Sequence, residues 1–368
     1  MLDPNNIVQL NKEIMEAIDK GSPLLGELRQ EVKQLQRETR QIRPQSTTSI
    51  SLVGTDGGNN QISYDPFLIQ IIRVVDSNSN QYCLEALTHE VDLDRLSEKH
   101  ENNNTSLWRL VEKLNLDSIK QLSPVFKKNI EERSKSWIQV YREITEWAIL
   151  LDLLEKDYGT DTLIVFDGFI RSKMFAHGLF GKFINLVKKA IEEHYEKNRR
   201  KIYIVGLAKH TQVLECYRLA MALEGTMRQP YACYAVVPEI MKARAYQWSE
   251  SYQGGADGEN FVGGTMYFVK FGKNPHDPIW AVDLLDSQKD DAAKIFGYLL
   301  ADALEGFPVP FYPQSLQRAH ENASIVGFDL DIIQDSILQS IRKMLGHQGT
   351  IMDELALQAK DPSALRYS

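Results

Sequence analysis

Apolar positions at helical spacing predict a long N-terminal helix over residues 5–45. Its apolar residues are Leu24, Leu28, Val32, Leu35 and Ile42. Three of them repeat every seven residues, but the stretch is too short to predict a coiled coil. Pro44 and the Ser/Thr run after it end the helix. We therefore expect a helical arm at residues 1–47 that packs either on the body of the chain or on a second subunit.

Three strand-like runs follow the arm, at residues 50–55, 67–75 and 81–87. The links between them are short, and the last one is the turn-like segment DSNSN, so we expect antiparallel neighbours. Residues 93–157 then have the pattern of a polar helical insertion. Its last helix, at roughly 130–156, contains no Gly or Pro.

Apolar strands alternate with helices in the second half of the chain. The segments LIVFDG and KIYIVGLAK predict strands, and residues 179–197 and 211–223 predict the helices that follow them. This alternation favours parallel pairing. The later predicted elements are an irregular Gly-rich region at 225–264, strands at 266–271 and 279–285, and helices at 290–305 and from Pro313 onward.

The predicted order is three antiparallel strands, a helical region, and then parallel strands that alternate with helices. That order is typical of the ribonuclease H-like fold. We therefore predict an α/β protein with a ribonuclease H/Piwi-like mixed sheet flanked by helices, an N-terminal helical arm and a helical insertion at about 93–157. The main domain is predicted to span residues 48–345, and a C-terminal tail follows at 346–368.

Charge and composition limit the possible functions. The formal net charge is −8, which argues against a broad basic surface that binds nucleic acid by charge alone, although a local basic groove is compatible with it. No apolar run is long enough to predict a membrane span, and the N-terminus lacks a signal-peptide pattern. Cys83, Cys216 and Cys233 are far apart, so we expect free thiols and a cytoplasmic location.

Asp56 lies in the segment LVGTDGGNN and allows two interpretations. Asp-Gly is a strong short hairpin signal, so Asp56 could begin a turn. It could instead be a carboxylate held at the end of the first strand. Asp167 closes the strand LIVFD and is also followed by Gly. In a ribonuclease H-like order the two strands are neighbours, which would place both carboxylates at one sheet edge. A divalent cation such as Mg²⁺ or Mn²⁺ would relieve their repulsion there.

The helix before Asp167 offers a third carboxylate. Glu143, Glu146 and Glu155 lie along it. Glu155 has the pattern of a solvated helix flank. Glu146 lies beside Trp147 at the edge of the apolar stripe, and Glu143 lies one turn earlier on nearly the same line. We favour Glu146 over Glu143.

Three further side chains are candidates for the same site. Lys209 follows the strand YIVGLA, at the level where a phosphate would lie. Pro313 keeps Tyr312 out of helical geometry, so Tyr312 is expected in a loop and His320 about two turns inside the helix. A histidine beside carboxylates can bind metal or transfer protons. Taken singly, a lysine at a strand end or a lone histidine on a helix is more often structural.

The ordered set of these segments resembles the NurA nucleases of archaea and bacteria. The matching features are TDGG after the first strand, a Glu on the helix before the second Asp, FDGFIRS, VGLAKHT and FYPQSLQRAH. They occur in order over about residues 48–330, and each alone is a weak motif. The resemblance implies a ribonuclease H/Piwi-like fold and Mn²⁺- or Mg²⁺-dependent DNA cleavage, with 5′ to 3′ exonuclease and single-strand endonuclease action.

The same resemblance implies a site and partners. Carried over position by position, the expected catalytic residues are Asp56, Glu146, Asp167, Tyr312 and His320, and we add Lys209 to them. The expected ligands of two ions are Asp56, Glu146, Asp167 and His320. Family members work as a homodimer docked on the HerA hexameric helicase-translocase ATPase, in DNA end resection or in antiphage defence.

Departures from the family pattern leave alternatives open. The stretch from Glu146 to Asp167 is a few residues longer than expected, which keeps Glu143 as a candidate. The segments DGG and DGF stand where family members commonly carry DGS. One alternative function is a catalytically inactive adaptor of the same fold that docks on a motor ATPase. Another is a Piwi-like guide-binding module, which normally needs a much longer chain. The intact pair of Asp56 and Asp167 favours the nuclease.

Overall fold

The computed structural model describes residues 4–46, 50–64, 67–88, 90–128, 137–246 and 262–346. The strands in these ranges are β1 (Arg40–Gln41), β2 (Ile50–Tyr64), β3 (Phe67–Asp76), β4 (Gln81–Thr88), β5 (Asp161–Asp167), β6 (Ile202–Ala208), β7 (Cys233–Val236), β8 (Gly264–Lys270) and β9 (Ile279–Leu285). The α-helices are α1 (Pro4–Arg37), α2 (Leu93–Asn102), α3 (Ser106–Lys113), α4 (Trp137–Leu154), α5 (Leu179–Asn198), α6 (Gln212–Glu224), α7 (Glu239–Ala245), α8 (Ala292–Leu304), α9 (Gln314–Ala323) and α10 (Phe328–Leu345).

In the described part of the chain, nine strands form one mixed sheet in the order β1-β7-β8-β9-β6-β5-β2-β3-β4. The first three long strands, β2, β3 and β4, are antiparallel neighbours, as the short links predict. β5 lies parallel to β2, and β6 lies parallel to β5, as the alternation of strands and helices predicts. β9 then pairs with β6 in the antiparallel direction.

Helices cover both faces of this sheet. Successive side chains of a strand point to opposite faces, and in β5 and β6 the even-numbered ones enter a core with α4 and α5. The odd-numbered ones enter a second core with α8 and α9. We call these two sides the α4 face and the α9 face. The predicted α/β class, with a mixed sheet flanked by helices, is confirmed.

β2 is longer than predicted, and Asp56 does not close it. The sequence predicts an end at residue 55, whereas the strand continues to Tyr64. The reason is that its two neighbours stop at different places. The parallel ladder with β5 ends at the pair Thr55–Phe166, while the antiparallel ladder with β3 continues to Tyr64. Asp56 is therefore the first residue of β2 beyond its parallel partner, and it is not part of a hairpin turn.

The glycines around Asp56 serve close packing. A Cβ atom on Gly54 would lie 2.3 Å from the carbonyl oxygen of Ser315, and one on Gly58 would lie 2.3 Å from that of Ala323. Both contacts are made with α9. Glycine at these two positions therefore lets the backbone of α9 approach β2 closely.

Other differences concern short elements and the uncertain parts of the chain. The region 225–264, predicted as irregular, contains β7 and α7. The sequence does not predict β7 because the pattern of a four-residue strand cannot be distinguished from that of a loop. Most of its Gly-rich segment lies outside the described residues, as do residues 129–136 of the helix predicted from about 130 and the tail from 347 on. α10 is a helix that the sequence analysis does not predict.

The N-terminal helix ends at Arg37, before the predicted end at Pro44. Arg40–Gln41 instead forms the edge strand β1 beside β7, and the Ile42 amide donates to the Ala232 carbonyl at 2.8 Å. The backbone leaves the helix because the open edge of β7 supplies it with hydrogen-bond partners.

The two halves of α1 have different surroundings. Leu28, Val32 and Leu35 are buried in a core that includes α6. The first half exposes its apolar residues, which are Ile7, Val8, Leu10, Ile14, Met15 and Ile18. Packing on the body therefore accounts for the second half of the arm only.

Two predictions from composition concern the membrane and the cysteines. Across the described ranges, none of the helices has the length and apolar character that crossing a bilayer requires. Cys83, Cys216 and Cys233 are free thiols, as predicted.

Candidate active site

Three polar side chains meet where the central strands end. Asp56 is the first residue of β2 beyond β5, Asp167 is the last residue of β5, and Lys209 directly follows β6. The alternation of side chains sends Asp167 and Lys209 to the α9 face. Asp56 points to the same face, because it lies between Gly54 and Gly58, which both contact α9. The register of the sheet therefore places the three side chains together.

α9 and the loop before it bring Tyr312 and His320 to this place. His320 Nδ1 lies 2.7 Å from Asp56 Oδ2. Lys209 Nζ donates to Asp167 Oδ2 at 3.0 Å and lies 3.4 Å from His320 Nδ1. The Tyr312 hydroxyl donates to Asp167 Oδ1 at 3.4 Å. All the predicted site residues except Glu146 thus meet in one cluster.

The cluster is open to solvent on one side. The side chain of His320 is 60% exposed and that of Lys209 is 36% exposed. Asp56 and Tyr312 are buried. A substrate can therefore reach the histidine and the lysine, while the protein shields the carboxylate of Asp56 and the ring of Tyr312.

Electrostatics make the cluster short of positive charge. Burial raises the pKa of Asp167, the negative charge of Asp56 raises it further, and Lys209 and His320 oppose both effects. Burial also raises the pKa of Tyr312, with both carboxylates adding to it. The Tyr312 hydroxyl therefore stays protonated and remains a hydrogen-bond donor to Asp167.

The donor set fits a divalent cation. Asp56, Asp167 and His320 each offer one ligand atom, and these atoms lie within 4.8 Å of one another. Two carboxylate oxygens and one imidazole nitrogen suit Mn²⁺ well, and the oxygens suit Mg²⁺. Lys209 supplies one positive charge to this cluster, and a divalent cation would supply two.

Glu146 approaches the site from the other face of β2. Its Oε1 lies 2.0 Å from the position that a Cβ atom on Gly57 would occupy, so its carboxylate packs on bare backbone. The side-chain position of Gly57 is on the α4 face because successive positions of a strand alternate, and Asp56 before it is on the α9 face. Among the described residues, the metal-ligand cluster consists of Asp56, Asp167 and His320, without Glu146. Glu146 as a ligand of the same ions stays a prediction.

The carboxylate of Glu146 is buried, and its Oε1 forms no hydrogen bond in the part of the chain that the structure describes. Burial raises its pKa well above the ordinary value, and Asp56 and Asp167 contribute to the rise. Oε1 has no hydrogen-bond partner among the described residues, and the nearest cation is Arg142, whose Nε lies 3.1 Å away. A buried carboxylate oxygen beside the cluster that has an ion pair but no hydrogen bond fits a further cation at this site.

Glu143, the alternative to Glu146, already has a partner. Ser172 Oγ donates to Glu143 Oε1 at 2.5 Å. Burial raises the pKa of Glu143 as well. The hydrogen bond ties Glu143 to the segment that follows Asp167, which is a structural task. Glu155 forms an ion pair with Lys113 near the surface, in agreement with the solvated helix flank that its sequence pattern indicates.

Sequence reasoning missed the residues that hold the segment after Asp167. Arg171 donates to Asp283 from Nη2 at 2.6 Å and from Nε at 2.9 Å. The Ile170 amide also donates to Asp283, at 3.1 Å. Asp283 is fully buried in β9. The polar pair in FDGFIRS is the available signal, but a single sequence does not reveal that Arg171 pairs with Asp283 and Ser172 with Glu143.

Comparison with protein families gives one match over most of the chain. The NurA domain matches residues 50–325. These residues contain the complete cluster on the α9 face and also Glu146. No curated protein matches the sequence significantly.

Solved structures with a similar course of the chain are distant in sequence. The NurA nuclease from Sulfolobus solfataricus is 12% identical, with 92% of this chain and 98% of that chain covered and a TM-score of 0.46. A NurA bound to dAMP and manganese is 9% identical, with 90% and 96% covered and a TM-score of 0.38. The Marinitoga piezophila Argonaute with guide RNA and target DNA is 13% identical, with 76% and 30% covered and a TM-score of 0.26.

Proposed function

The chain belongs to the NurA family, and we propose that it is a divalent-metal-dependent nuclease that cleaves DNA. One observation carries this proposal: the ligand atoms of Asp56, Asp167 and His320 lie within 4.8 Å of one another at an open edge of the sheet. Buried carboxylates that repel one another are costly unless a cation joins them. An adaptor without catalysis would have no use for such a cluster.

The proposal includes the finer fold class and the metal. The strand order β4-β3-β2-β5-β6, with an antiparallel part followed by a parallel part, supports a ribonuclease H/Piwi-like fold. Asp56, Asp167 and His320 would hold Mn²⁺ or Mg²⁺, and Glu146 would take part in holding a second ion. The bound metal supplies an activated water and stabilises the oxygens of the phosphodiester during hydrolysis.

The other side chains of the cluster would orient the reacting groups. Lys209 presents its ammonium group at the open edge, where it would bind a phosphate oxygen of the DNA backbone. Tyr312 donates its hydroxyl hydrogen to Asp167 Oδ1 and fixes the orientation of that carboxylate. His320, exposed beside both aspartates, would either stay a metal ligand or exchange a proton with the substrate oxygen.

The proposed biological setting is a motor-driven one in the cytoplasm. We propose 5′ to 3′ exonuclease and single-strand endonuclease action, in a homodimer that docks on a HerA-type hexameric ATPase, in DNA end resection or antiphage defence. The resemblance to the family supports this setting. The net charge of −8 also supports it, because a chain with little general attraction for DNA benefits from a partner that delivers the strand.

The test is cleavage of labelled single- and double-stranded DNA by the purified chain with Mn²⁺, Mg²⁺ or EDTA. We expect cleavage with either metal and none with EDTA. Absence of cleavage under every condition, including addition of the partner ATPase, would support the inactive adaptor instead. Measuring the length of the products with time separates exonuclease from endonuclease action.

A further inference from the structure

A pocket of about 610 Å³ lies near the β1 edge of the sheet and shares no lining residue with the metal-ligand cluster. We call it the edge pocket. β7 and β8 contribute Tyr234 and Tyr267 to its lining, and the end of α1 and β1 contribute Arg37 and Arg40. The segment between β9 and α8 contributes Lys289. A cavity of this size is typical of a site for a small molecule.

The register of the sheet places three of these side chains next to one another. Arg40 pairs with Tyr234 in the ladder of β1 and β7, and paired residues present their side chains on the same face. The rings of Tyr234 and Tyr267 lie 6.1 Å apart between centroids and belong to the core on the α9 face. Backbone pairing therefore holds Arg40 beside the two tyrosines.

The hydroxyl groups of the two tyrosines are available to a ligand. Tyr234 and Tyr267 are only 5% and 4% exposed, and both rings pack against Phe296 of α8. Neither hydroxyl forms a hydrogen bond in the described part of the chain. A buried tyrosine usually has a partner for its hydroxyl. Because both residues line the edge pocket, a polar ligand there would supply the missing partners.

Three cations surround the same pocket. Arg37, Arg40 and Lys289 line it, and none of them forms an ion pair within the described ranges. Two carboxylates, Glu38 and Asp290, line it as well. Guanidinium and ammonium groups without carboxylate partners are suited to a phosphate group, which arginine binds with two parallel hydrogen bonds. The lining therefore fits a ligand that carries an anion and also offers hydrogen-bond donors.

The charges of the pocket act on one hydroxyl. Burial raises the pKa of Tyr267, and the neighbouring Tyr234 raises it further. Arg40 opposes this rise, whereas Asp286 and Asp290 add to it. Groups from β1, β7 and the segment before α8 thus converge on Tyr267. Its hydroxyl stays protonated and can donate a hydrogen bond to a ligand.

From this arrangement we propose that the edge pocket binds a nucleotide, with the phosphate group held by Arg37, Arg40 and Lys289. The tyrosine hydroxyls and Asp290 would then contact the sugar or the base. A nucleotide has the anion that the cations bind and the hydroxyl or amino donors that a carboxylate accepts. An acidic peptide would meet the like charges of Glu38 and Asp290, and inorganic phosphate would leave most of the cavity empty. The inference goes beyond the proposed nuclease function and does not rest on it.

The edge pocket and the metal-ligand cluster are separate sites on one face of the sheet. Asp167 pairs with Leu207, Leu207 with Val282, and Val282 with Tyr267. Asp167 and Tyr267 therefore lie in one row across four strands, about 14 Å apart at the usual spacing between strands. A nucleotide in the edge pocket would contact the connection between α1 and β1, which the cluster does not.

The test is calorimetric titration of the full-length chain with AMP in EDTA, so that no metal ion can hold the nucleotide at the cluster. We expect saturable binding. Arg40→Gln and Lys289→Gln should each weaken it by roughly 10-fold or more, as for loss of a charged hydrogen-bond partner. Arg95→Gln removes the same charge from the exposed side of α2 and should bind AMP normally. Asp167→Asn should also bind it normally, because the cluster is not involved.

A milder variant and three other ligands complete the test. Tyr267→Phe keeps the ring in the core and should weaken AMP binding by roughly 2- to 10-fold. Adenosine and inorganic phosphate should each bind much more weakly than AMP. If a 5′-phosphorylated oligonucleotide loses affinity in Arg40→Gln and free AMP does not bind, the nucleotide is the terminal one of a DNA strand.

Two results would overturn the nucleotide site. One is AMP affinity that stays unchanged in Arg40→Gln, Lys289→Gln and Tyr267→Phe, or the absence of binding by both AMP and the oligonucleotide. The other is inorganic phosphate that binds as tightly as AMP. A wild-type chain that binds AMP in this way but cleaves no DNA would overturn the nuclease and leave the edge pocket as assigned.

Discussion

At the scale of single residues, the cluster depends on two carboxylates that share one face of the sheet. Asp56 and Asp167 lie on neighbouring parallel strands, and each is one residue past the last pair of the ladder between them, Thr55–Phe166. They would repel if ionised together, and Lys209 Nζ lies 3.0 Å from Asp167 while His320 Nδ1 lies 2.7 Å from Asp56. This geometry makes the charge of each carboxylate, rather than its shape, the property that function requires.

We expect Asp56→Asn and Asp167→Asn each to lower the rate of single-stranded DNA cleavage with Mn²⁺ by more than about 100-fold, since even outer partners of metal ligands account for roughly 10- to 100-fold. Both changes keep the size of the side chain. Circular dichroism should match the wild type, which shows that the fold is kept. Asp152→Asn is the control, because Asp152 pairs with Arg109 away from the cluster. Near-normal rates in either site variant would remove the assignment.

Metal binding should stabilise the protein. The folded-state pKa of Asp167 is raised, mainly by burial, so its ionised form lowers stability at neutral pH. That cost is present above the folded-state pKa and is lost as the pH falls below it. Mn²⁺ should therefore raise the free energy of unfolding at pH 7, by about 2.7 kcal/mol at 100 times its Kd, and the melting temperature should rise with it. EDTA should reverse the gain, and Asp167→Asn should show none in a thermal-shift measurement.

The two glutamates of α4 should differ in their effect on activity. Oε1 of Glu146 is buried at Gly57 and forms no hydrogen bond among the described residues, with Arg142 Nε 3.1 Å away, whereas Glu143 accepts a hydrogen bond from Ser172. Glu146→Gln should therefore lose at least about 10-fold in cleavage rate, and Glu143→Gln should lose much less. Steady-state cleavage of single-stranded DNA decides between them. Equal or reversed losses would mean that Glu143 is the functional carboxylate.

The residue-level prediction from sequence depended on how local each signal is. Asp167 ends an apolar strand before Gly, so its place follows from a few neighbouring residues. The place of Glu146 depends on which face of β2 the helix α4 covers, and no short segment contains that information. Arg171 and Asp283 are more than a hundred positions apart in the chain, and only the folded sheet reveals their contact.

At the scale of elements, β2 is a strand packed between two helices. α9 contacts Gly54 and Gly58 on one face, and Glu146 of α4 contacts Gly57 on the other. The run of glycines thus has a packing cause. The same Asp-Gly residues are typical of a hairpin turn, which is why the sequence predicts that the strand ends near Asp56. The end of a strand depends on where its neighbours stop, and that is a property of the whole sheet.

The glycines on the two faces of β2 should respond differently to substitution. In Gly57→Ala the new Cβ meets the end of the Glu146 side chain at 2.0 Å, and that side chain can move. We expect a loss of cleavage of about 10-fold or more with little change in stability. In Gly58→Ala the Cβ meets the Ala323 carbonyl of α9 at 2.3 Å. There we expect a loss of about 1–3 kcal/mol of stability.

Chemical denaturation and cleavage rates measured on the same preparations separate the two effects. Gly159→Ala is the control, because no atom lies within 4 Å of the added Cβ. It should keep both wild-type stability and wild-type activity. If Gly57→Ala cleaves DNA normally, the position of Glu146 against β2 is irrelevant to function.

At the scale of the whole molecule, the order of strands was open to prediction because short links and alternating helices restrict how strands pair. The antiparallel start and the parallel centre both follow from the lengths of the connections. The far side of the sheet does not. β1 and β7 are so short that their pairing depends on an edge built by residues distant in the chain.

The N-terminal arm leads to a prediction about assembly. The first half of α1 exposes six apolar side chains, from Ile7 to Ile18, while the second half is buried against α6. An apolar helix face of this length is typical of an interaction surface, and two-fold association is the commonest closed symmetry. We expect light scattering to give the mass of a dimer. Removal of residues 1–21 should give a monomer with the same melting temperature, since Leu28, Val32 and Leu35 stay in place.

The motor-coupled setting is tested with the full-length chain and the form that lacks residues 1–21. A chain of net charge −8 attracts duplex DNA weakly, so degradation of long duplexes should be slow for the isolated nuclease and faster when a HerA-type ATPase from a neighbouring gene and ATP are added. The gain should need ATP hydrolysis and should vanish in Asp167→Asn, which keeps the surface and lacks the site. If the ATPase binds the full chain but not the form without residues 1–21, the arm is a motor contact. A monomeric full-length chain would contradict the dimer, and a lack of stimulation would contradict the motor even where the isolated nuclease is active.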